Sequence, residues 1–365
     1  MTKIIIDIPE EKPYDVRVES DIIAQLGKTV RSFSNTNRSV IITDSAVQEL
    51  YASSVEASLQ QQGFETAIIA VPHGESAKSL EVAGEIWDAM AAMHLNRDSL
   101  VVALGGGVVG DLAGFTGSTF MRGLPIVQVP TTLLSMVDSS VGGKTAINLA
   151  AGKNLVGTFC QPRYVCADIA TLSTLPEREW ICGCGEIAKS AVIDSEDFFL
   201  WLTEYAASLR DRDAAIVKDA VVKCIAFKAR VVVEDKAETK GVRECLNYGH
   251  TLAHAIETAA GYGVFSHGEC VAQGMRFAAR LGASLLGTPL TMIEAQDRLL
   301  DALNLRSLDF HADPQELLRL MMSDKKVRSD SLRFVLPHDI GVWSVETVAP
   351  EIVLEHLQAW QASLE

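Results

Sequence analysis

The sequence predicts an α/β protein in two parts: a mostly parallel sheet covered by helices over residues 1–170, then an all-α half over residues 171–365. Three observations predict it. Up to about residue 170, short apolar runs alternate with amphipathic stretches of helical period, the pattern of strands buried on both faces and joined by crossover helices. Beyond that point strand-like runs nearly vanish and helical periodicity takes over. A glycine-rich turn after one of the buried runs also opens a helix, the arrangement of a nucleotide-binding α/β unit. A chain of 365 residues is long enough for two domains of ordinary size, and a ligand site is expected in the cleft between them.

Residues 4–8 and 14–18 alternate as two short strands, bridged by Pro9 and Pro13, with a helix following over 22–30. Strand, loop and helix then repeat: strand 39–43 ending at Asp44, helix 46–62, strand 66–71, helix 80–93, strand 100–104, helix 108–120 and strand 126–129. In the second half the period predicts helices over 177–193, 197–209, 214–234, 246–260, 267–286 and 292–303, with one late strand-like piece at 333–336.

Composition narrows the classes of function. A formal net charge of -15 argues against nucleic acid and anionic membrane as partners, and makes any local cluster of Lys and Arg more conspicuous. No apolar run is long enough to span a bilayer, and the N-terminus is too short and charged for a signal peptide. The seven cysteines are odd in number and lack a CxxC or disulfide-like pattern; Cys182-Gly-Cys184 has the wrong spacing for a zinc ribbon. They read as reduced, cytoplasmic thiols acting as small apolar residues.

Three stretches carry chemistry. Gly105-Gly-Gly107-Val-Val-Gly110-Asp111 follows a buried strand and opens a helix, so it satisfies G-x-G-x-x-G in the required context. Such glycines let the backbone approach a pyrophosphate whose charge sits on the helix N-terminus. No acidic residue stands about twenty positions on to hold a ribose; Asp44 either takes that job or caps a helix. Gly142-Gly143-Lys144-Thr145 invites a P-loop reading, but Asp138 stands where the first Gly is needed and no strand precedes it, which excludes that class of kinase or ATPase. Lys144 is instead a cation available to a substrate phosphate, or an exposed loop lysine. Finally, His250 and His254 are one helical turn apart and His267 opens the next helix. Three imidazoles near one corner point to a metal site; the competing reading is one satisfied core His and two on the surface.

Together the motifs resemble the 3-dehydroquinate synthase family over nearly the whole chain. The segments that carry the resemblance are Gly105-Gly-Gly-Val-Val-Gly-Asp111-Leu-Ala-Gly-Phe, Gln128-Val-Pro-Thr-Thr-Leu-Leu-Ser, Val137-Asp-Ser-Ser-Val-Gly-Gly-Lys-Thr145, Gly152-Lys-Asn154, Leu246-Asn-Tyr-Gly-His-Thr and His267-Gly-Glu. The resemblance implies a Rossmann-like NAD-binding domain followed by a helical metal- and substrate-binding domain. It implies a cytoplasmic homodimer that uses tightly held NAD and zinc (or cobalt) to convert 3-deoxy-D-arabino-heptulosonate 7-phosphate into 3-dehydroquinate in the shikimate route to aromatic amino acids.

Carried onto this sequence, the resemblance gives Glu186, His250 and His267 as metal ligands, with His254 turned to the substrate phosphate. Lys144, Asn154, Asn247 and Lys325 are also implied at the phosphate, Arg243 and Lys228 at the carboxylate, and Asp138 at a substrate hydroxyl. Arg122 is implied to reach the phosphate from a neighbouring subunit, and Lys189 completes a Glu–Lys pair with Glu186. For NAD it gives Asp44, Glu75, Lys78, Gly106, Gly107, Asp111, Thr131, Thr132, Lys153, Thr174, Leu175 and Glu179. The chain departs from the pattern at Gly185-Glu-Ile-Ala-Lys-Ser-Ala191, where the family usually has Ala-Glu-Val-Ile-Lys-Tyr-Gly. It departs again at Ala46, where an Asn is common, and by one residue inserted near Lys240. The alternatives are another sugar-phosphate cyclase, which would not need the Arg243 and Asn247 pair, and a metal-dependent NAD polyol dehydrogenase, which would not need so many cations.

Overall fold

The structure, a computed structural model, describes residues 2–9, 11–236, 238–261, 263–323 and 332–363. It divides into two compact units, Met1–Leu175 with Lys228–Ala237, and Pro176–Phe227 with Glu238–Glu365.

In the first unit the strands are β1 (Thr2–Ile6), β2 (Tyr14–Glu19), β3 (Arg38–Asp44), β4 (Glu65–Val71), β5 (Leu100–Gly105), β6 (Ile126–Pro130), β7 (Lys144–Leu149), β8 (Gly152–Phe159) and β9 (Tyr164–Asp168). Seven of them form one sheet in the order β1-β2-β9-β6-β5-β3-β4, parallel throughout except for the antiparallel edge pair β1–β2. The helices are α1 (Leu26–Arg31), α2 (Ser45–Val47), α3 (Ser53–Gln60), α4 (Leu80–Ala92) and α5 (Gly107–Thr119). Successive side chains of a strand point to opposite faces. Ile41 of β3 therefore packs with Val30, Val55 and Leu59, while Val40 and Ile42 pack with Ile86, Met90 and Leu112. Two buried faces explain why these strands are continuously apolar.

The region 144–168 is where the sequence pattern is least informative. β7 and β8 form a separate antiparallel hairpin, and β9 enters the middle of the main sheet between β2 and β6. The predicted helix 46–62 forms as α2 and α3 with the intervening Gln48–Ala52 widened to π-type turns. Asp44 closes β3 and its carboxylate accepts from the amides of Ala46 and Val47 at 2.9 and 3.1 Å. A cap of this kind is worth about 0.5–2 kcal/mol.

Among its described residues the second unit is helical with one hairpin: α6 (Glu177–Asp194), α7 (Glu196–Arg210), α8 (Ala214–Glu234), α9 (His250–Ala260), α10 (His267–Leu286), α11 (Leu290–Ala302) and α12 (Pro314–Ser323). The paired strands β10 (Leu332–Asp339) and β11 (Val342–Val348) and the helix α13 (Pro350–Ala362) follow. From Lys228 onward, α8 belongs to the first unit. The predicted helix 246–260 is corrected: Val242–Asn247 is a 3₁₀ turn, and α9 begins only after Gly249, whose φ of 79° breaks the helical path. No helix among the described residues is long and apolar enough to cross a membrane. None of the seven cysteines, all among the described residues, is joined in a disulfide; six are buried and Cys160 is half-buried.

Candidate metal and nucleotide sites

The metal-ligand candidates come together on three helices of the second unit, and glycines make that possible. Gly185 precedes Glu186 on α6, and Gly268 follows His267 on α10. A Cβ on Gly185 would lie 2.6 Å from the Gly268 Cα, and a Cβ on Gly268 would lie 2.2 Å from the Cys182 carbonyl oxygen. The two backbones are therefore nearly in contact where the ligands emerge. At the start of α9, Gly249 does the same against α10: a Cβ on Gly274 would meet the Gly249 carbonyl at 1.8 Å. Gly268→Ala should overpack this crossing. We expect a loss of roughly 1–3 kcal/mol or more in urea unfolding, together with weaker zinc retention, because no nearby atom is the free end of a side chain.

Ligand atoms of Glu186, His250 and His267 all lie within 4.8 Å of one another. Glu186 Oε1 faces His250 Nε2 and His267 Nε2, each at 3.5 Å. Both carboxylate oxygens are buried: Oε1 faces the two rings, and Oε2 lies against the Lys189 ammonium. The outer nitrogens of the rings are engaged elsewhere. His250 Nδ1 lies 3.1 Å from the Tyr248 carbonyl, and His267 Nδ1 lies 3.4 Å from Glu257 Oε1. Two imidazoles so oriented present Nε2 lone pairs towards one buried carboxylate, which is a donor set suited to a divalent zinc-like ion. His254 stands beside them, its ring stacked on His267 at 6.2 Å and edge-on to His250 at 5.6 Å. The structure thus gathers the three imidazoles that the sequence singled out.

Charge around the cluster is finely balanced. Burial works against ionisation of Glu186, but the adjacent Lys189 ammonium and the His267 ring overcome it and hold the carboxyl below its ordinary value. Lys189 is itself buried, pairs with Glu186 Oε2 and donates to the Leu246 carbonyl at 2.9 Å. Burial disfavours the protonated form of His267, yet its bonds to Glu186 and Glu257 raise it from 6.5 to about 10. In the metal-free chain that charge stabilises the fold fully below pH 6.5, and the contribution is lost as pH rises through about 10. A metal replaces the proton. Zinc uptake at neutral pH should therefore release at least one proton, seen as a dependence of binding heat on buffer ionisation enthalpy; a heat independent of buffer would contradict it.

In the first unit, α5 starts with Gly106 as its N-cap, which has no side chain to cap the first amides. A Cβ on Gly106 would lie 3.0 Å from Thr132 Cγ2, and one on Gly107 would lie 3.1 Å from Ser139 Oγ, so larger residues would crowd the turn. Thr131, at the end of β6, has a buried hydroxyl without a hydrogen-bond partner. Open helix amides, bare glycines and an unsatisfied hydroxyl suit a dinucleotide pyrophosphate and its attached groups. Thr132 closes its own turn with Ser135 at 2.9 Å. Lys78 is buried and donates to Asp111 at 2.6 Å and to Asn154. Burial raises the Asp111 carboxyl against the opposing effect of Lys78. Glu75 accepts from Asn148 at 2.8 Å, and Asn148 accepts from the Asn154 amide at 2.9 Å. Asn154 is held in a left-handed conformation, φ 53°, by this network, so it joins the nucleotide candidates Glu75, Lys78 and Asp111.

Asp44 serves as a helix cap, and its Oδ1 also lies 3.1 Å from His73 Nδ1, a neighbour the sequence reading did not single out. Lys153 is half-buried, Leu175 is buried, and Thr174 is exposed with its hydroxyl 2.6 Å from that of Tyr51. Glu179 lies exposed in the first turn of α6.

Of the anion-binding candidates, Lys228 is paired with Asp138, through the carbonyl at 2.6 Å and the carboxylate at 2.8 Å. Lys144 is exposed at the start of β7. Arg243 is almost completely buried on the 3₁₀ turn that also carries the half-buried Asn247. Met121 and Arg122 both have positive φ, 51° and 68°, just before Gly123. Two consecutive non-glycine residues in that region are strained, a condition concentrated at functional positions. Lys325 lies outside the described residues.

The fold matches solved cyclases. A 2-deoxy-scyllo-inosose synthase complexed with carbaglucose-6-phosphate, NAD+ and Co2+ superposes with a TM-score of 0.89 and 26% identity, covering 98% of this chain and 100% of that one. The 2-epi-5-epi-valiolone synthase of Streptomyces hygroscopicus, with NAD+ and Zn2+ bound, gives 0.87 and 25%, covering 99% of each. A probable glycerol dehydrogenase from Sinorhizobium meliloti shares the fold alone, at 0.63 and 16%. The architecture is accordingly that of the sugar-phosphate cyclases.

Family models narrow the class. Residues 68–182 match the model described as 3-dehydroquinate synthase N-terminal, and residues 183–327 match its C-terminal counterpart. The 3-dehydroquinate synthase of Rhodopirellula baltica is 51% identical over 302 residues, covering 83% of this chain and 80% of that protein. That of Pelobacter propionicus is 43% identical over 347 residues, covering 94% and 96%. The chain belongs to the 3-dehydroquinate synthase family.

Proposed function

We propose that this chain converts 3-deoxy-D-arabino-heptulosonate 7-phosphate to 3-dehydroquinate and phosphate as a carbon–oxygen lyase that uses NAD catalytically and a zinc or cobalt ion. The observation that carries the reading is the triad of buried Glu186 with half-buried His250 and His267, with Nε2 of both rings aimed at one carboxylate. Glu186, His250 and His267 would hold the ion, which supplies Lewis acidity towards substrate hydroxyls when bound. The α5 N-terminus with Gly106 and Gly107, together with Thr131, Lys78 and Asp111, would hold NAD, which supplies reversible oxidation of the ring carbon at C5.

That transient oxidation acidifies the neighbouring C–H, so phosphate can leave by elimination. Reduction, opening of the hemiketal and aldol closure complete the change, and NAD ends each turnover as it began. The side chains bind and orient the substrate through these steps. The planar guanidinium of Arg243 suits bidentate recognition of the carboxylate. Lys144, Asn154, Asn247, His254 and Lys325 are assigned to the phosphate. Asp138, paired with Lys228, accepts from a substrate hydroxyl. Lys189 keeps Glu186 anionic.

Arg243, assigned to the carboxylate, favours this substrate over the carboxylate-free substrates of related cyclases. The many cations argue against a neutral polyol. We further assign the protein to the cytoplasm as a homodimer in which Arg122 serves the neighbouring subunit. The deciding assay offers the heptulosonate phosphate with a trace of NAD. Phosphate release far in excess of the NAD supplied, with matching cyclic product, is expected. Release limited to one equivalent of NAD would instead indicate a dehydrogenase.

A further inference from the structure

We propose that Glu257 is the positioning residue that fixes His267 as a metal ligand; this rests on the metal reading above. An imidazole has two ring nitrogens, so the partner of one decides what the other can do. Glu257 Oε1 lies 3.4 Å from Nδ1 of His267, on the side of the ring away from Glu186. A proton held on Nδ1 by that carboxylate leaves the Nε2 lone pair for a metal and makes the ring a stronger donor. Glu257 is not among the residues whose ligand atoms cluster within 4.8 Å, so its role is exerted through the ring.

The helix geometry makes this economical. Glu257 follows His250 by seven residues on α9, two turns along the same face. One helix therefore carries a ligand and, two turns on, the group that orients the ligand opening α10. The side chains of Glu257 and His267 are 12% and 27% exposed, low enough for the carboxylate to act in a poorly screened setting. The two histidines are held unequally: His250 has a neutral backbone carbonyl at its outer nitrogen, whereas His267 has an anion. Glu257 thus brings a second negative charge to a divalent ion, transmitted through the His267 ring.

The test compares wild type, Glu257→Ala and Glu257→Gln in the intact chain. Zinc affinity is measured by competition with a chromogenic chelator, and the site geometry by the visible absorption of bound cobalt. Wild type should bind one zinc per chain; failure there would overturn the metal reading itself. Given wild-type binding, Glu257→Ala should weaken zinc by roughly 10–100-fold and alter the cobalt spectrum. Glu257→Gln keeps an acceptor at the same reach but loses the charge, so it should fall between the two. Affinity within threefold of wild type and an unchanged cobalt spectrum in the alanine variant would overturn the proposal. Melting of the metal-free proteins separates an effect on folding. Should the alanine variant not fold, the glutamine variant decides, and wild-type affinity there would overturn the role of the charge.

Discussion

Glu186→Ala should leave the protein unable to retain zinc and should also destabilise the metal-free fold. Two effects with different readouts are expected. Removing the anionic member of the triad leaves only two imidazoles as ligands, short of the three protein ligands typical of a catalytic zinc. Metal content after gel filtration should fall from about one per chain to near none, with turnover falling alongside. Independently, Lys189 loses its carboxylate while its side chain stays buried and its Leu246 bond remains. Breaking a buried pair by removing one partner typically costs about 3–5 kcal/mol. Urea unfolding of the metal-free variant should show a loss of that order. The double variant Glu186→Ala, Lys189→Met should recover much of the stability but none of the zinc. Zinc retained at one per chain with normal turnover in the single variant would refute the ligand assignment.

The second large effect is expected at Arg243. Its side chain is almost completely buried, so its charge is weakly screened and any anion it meets is bound in a desolvated setting. Truncating one partner of such a charge pair costs roughly 2–5 kcal/mol, a fall of about 30-fold to several thousand-fold in kcat/KM for Arg243→Ala. Arg243→Lys should recover little, because a compact ammonium does not reproduce the two-pronged geometry. Unfolding measurements must accompany the kinetics, since the neighbouring Glu244, on the same 3₁₀ turn, clamps Arg333 at 2.8 and 3.0 Å. An effect under tenfold in a well-folded variant would argue that the carboxylate binds elsewhere.

Much of the first unit can be read directly because its strands are buried on both faces and therefore continuously apolar. The hairpin and β9 escape that reading. β8 exposes Leu155, Val156 and Phe159, which blurs the contrast between apolar and polar positions, and β9 is only five residues long. The Gly105–Gly110 turn and the one-turn spacing of His250 and His254 are visible in the residues themselves. Which three groups share a site is another matter. That depends on how closely α6, α9 and α10 approach, and the approach is set by backbone contact at Gly185, Gly268, Gly249 and Gly274. Glycines in a helical pattern reveal neither the partner nor the distance. For the same reason Glu257 looks like an ordinary polar position on α9 until α10 is placed beside it. The Gly249 break was hidden too, because the apolar rhythm runs on either side of it.

The first unit is interrupted in sequence: the strip Lys228–Ala237, which brings Lys228 to Asp138, is encoded well after Leu175. During synthesis this half cannot finish assembling when residue 175 leaves the ribosome; it must wait until residue 237 has emerged, with part of the second half already made. A gene fragment ending at 175 would therefore yield an incomplete first unit lacking the Lys228 partner of Asp138. Any attempt to exchange halves between relatives has to carry that later strip along with the first.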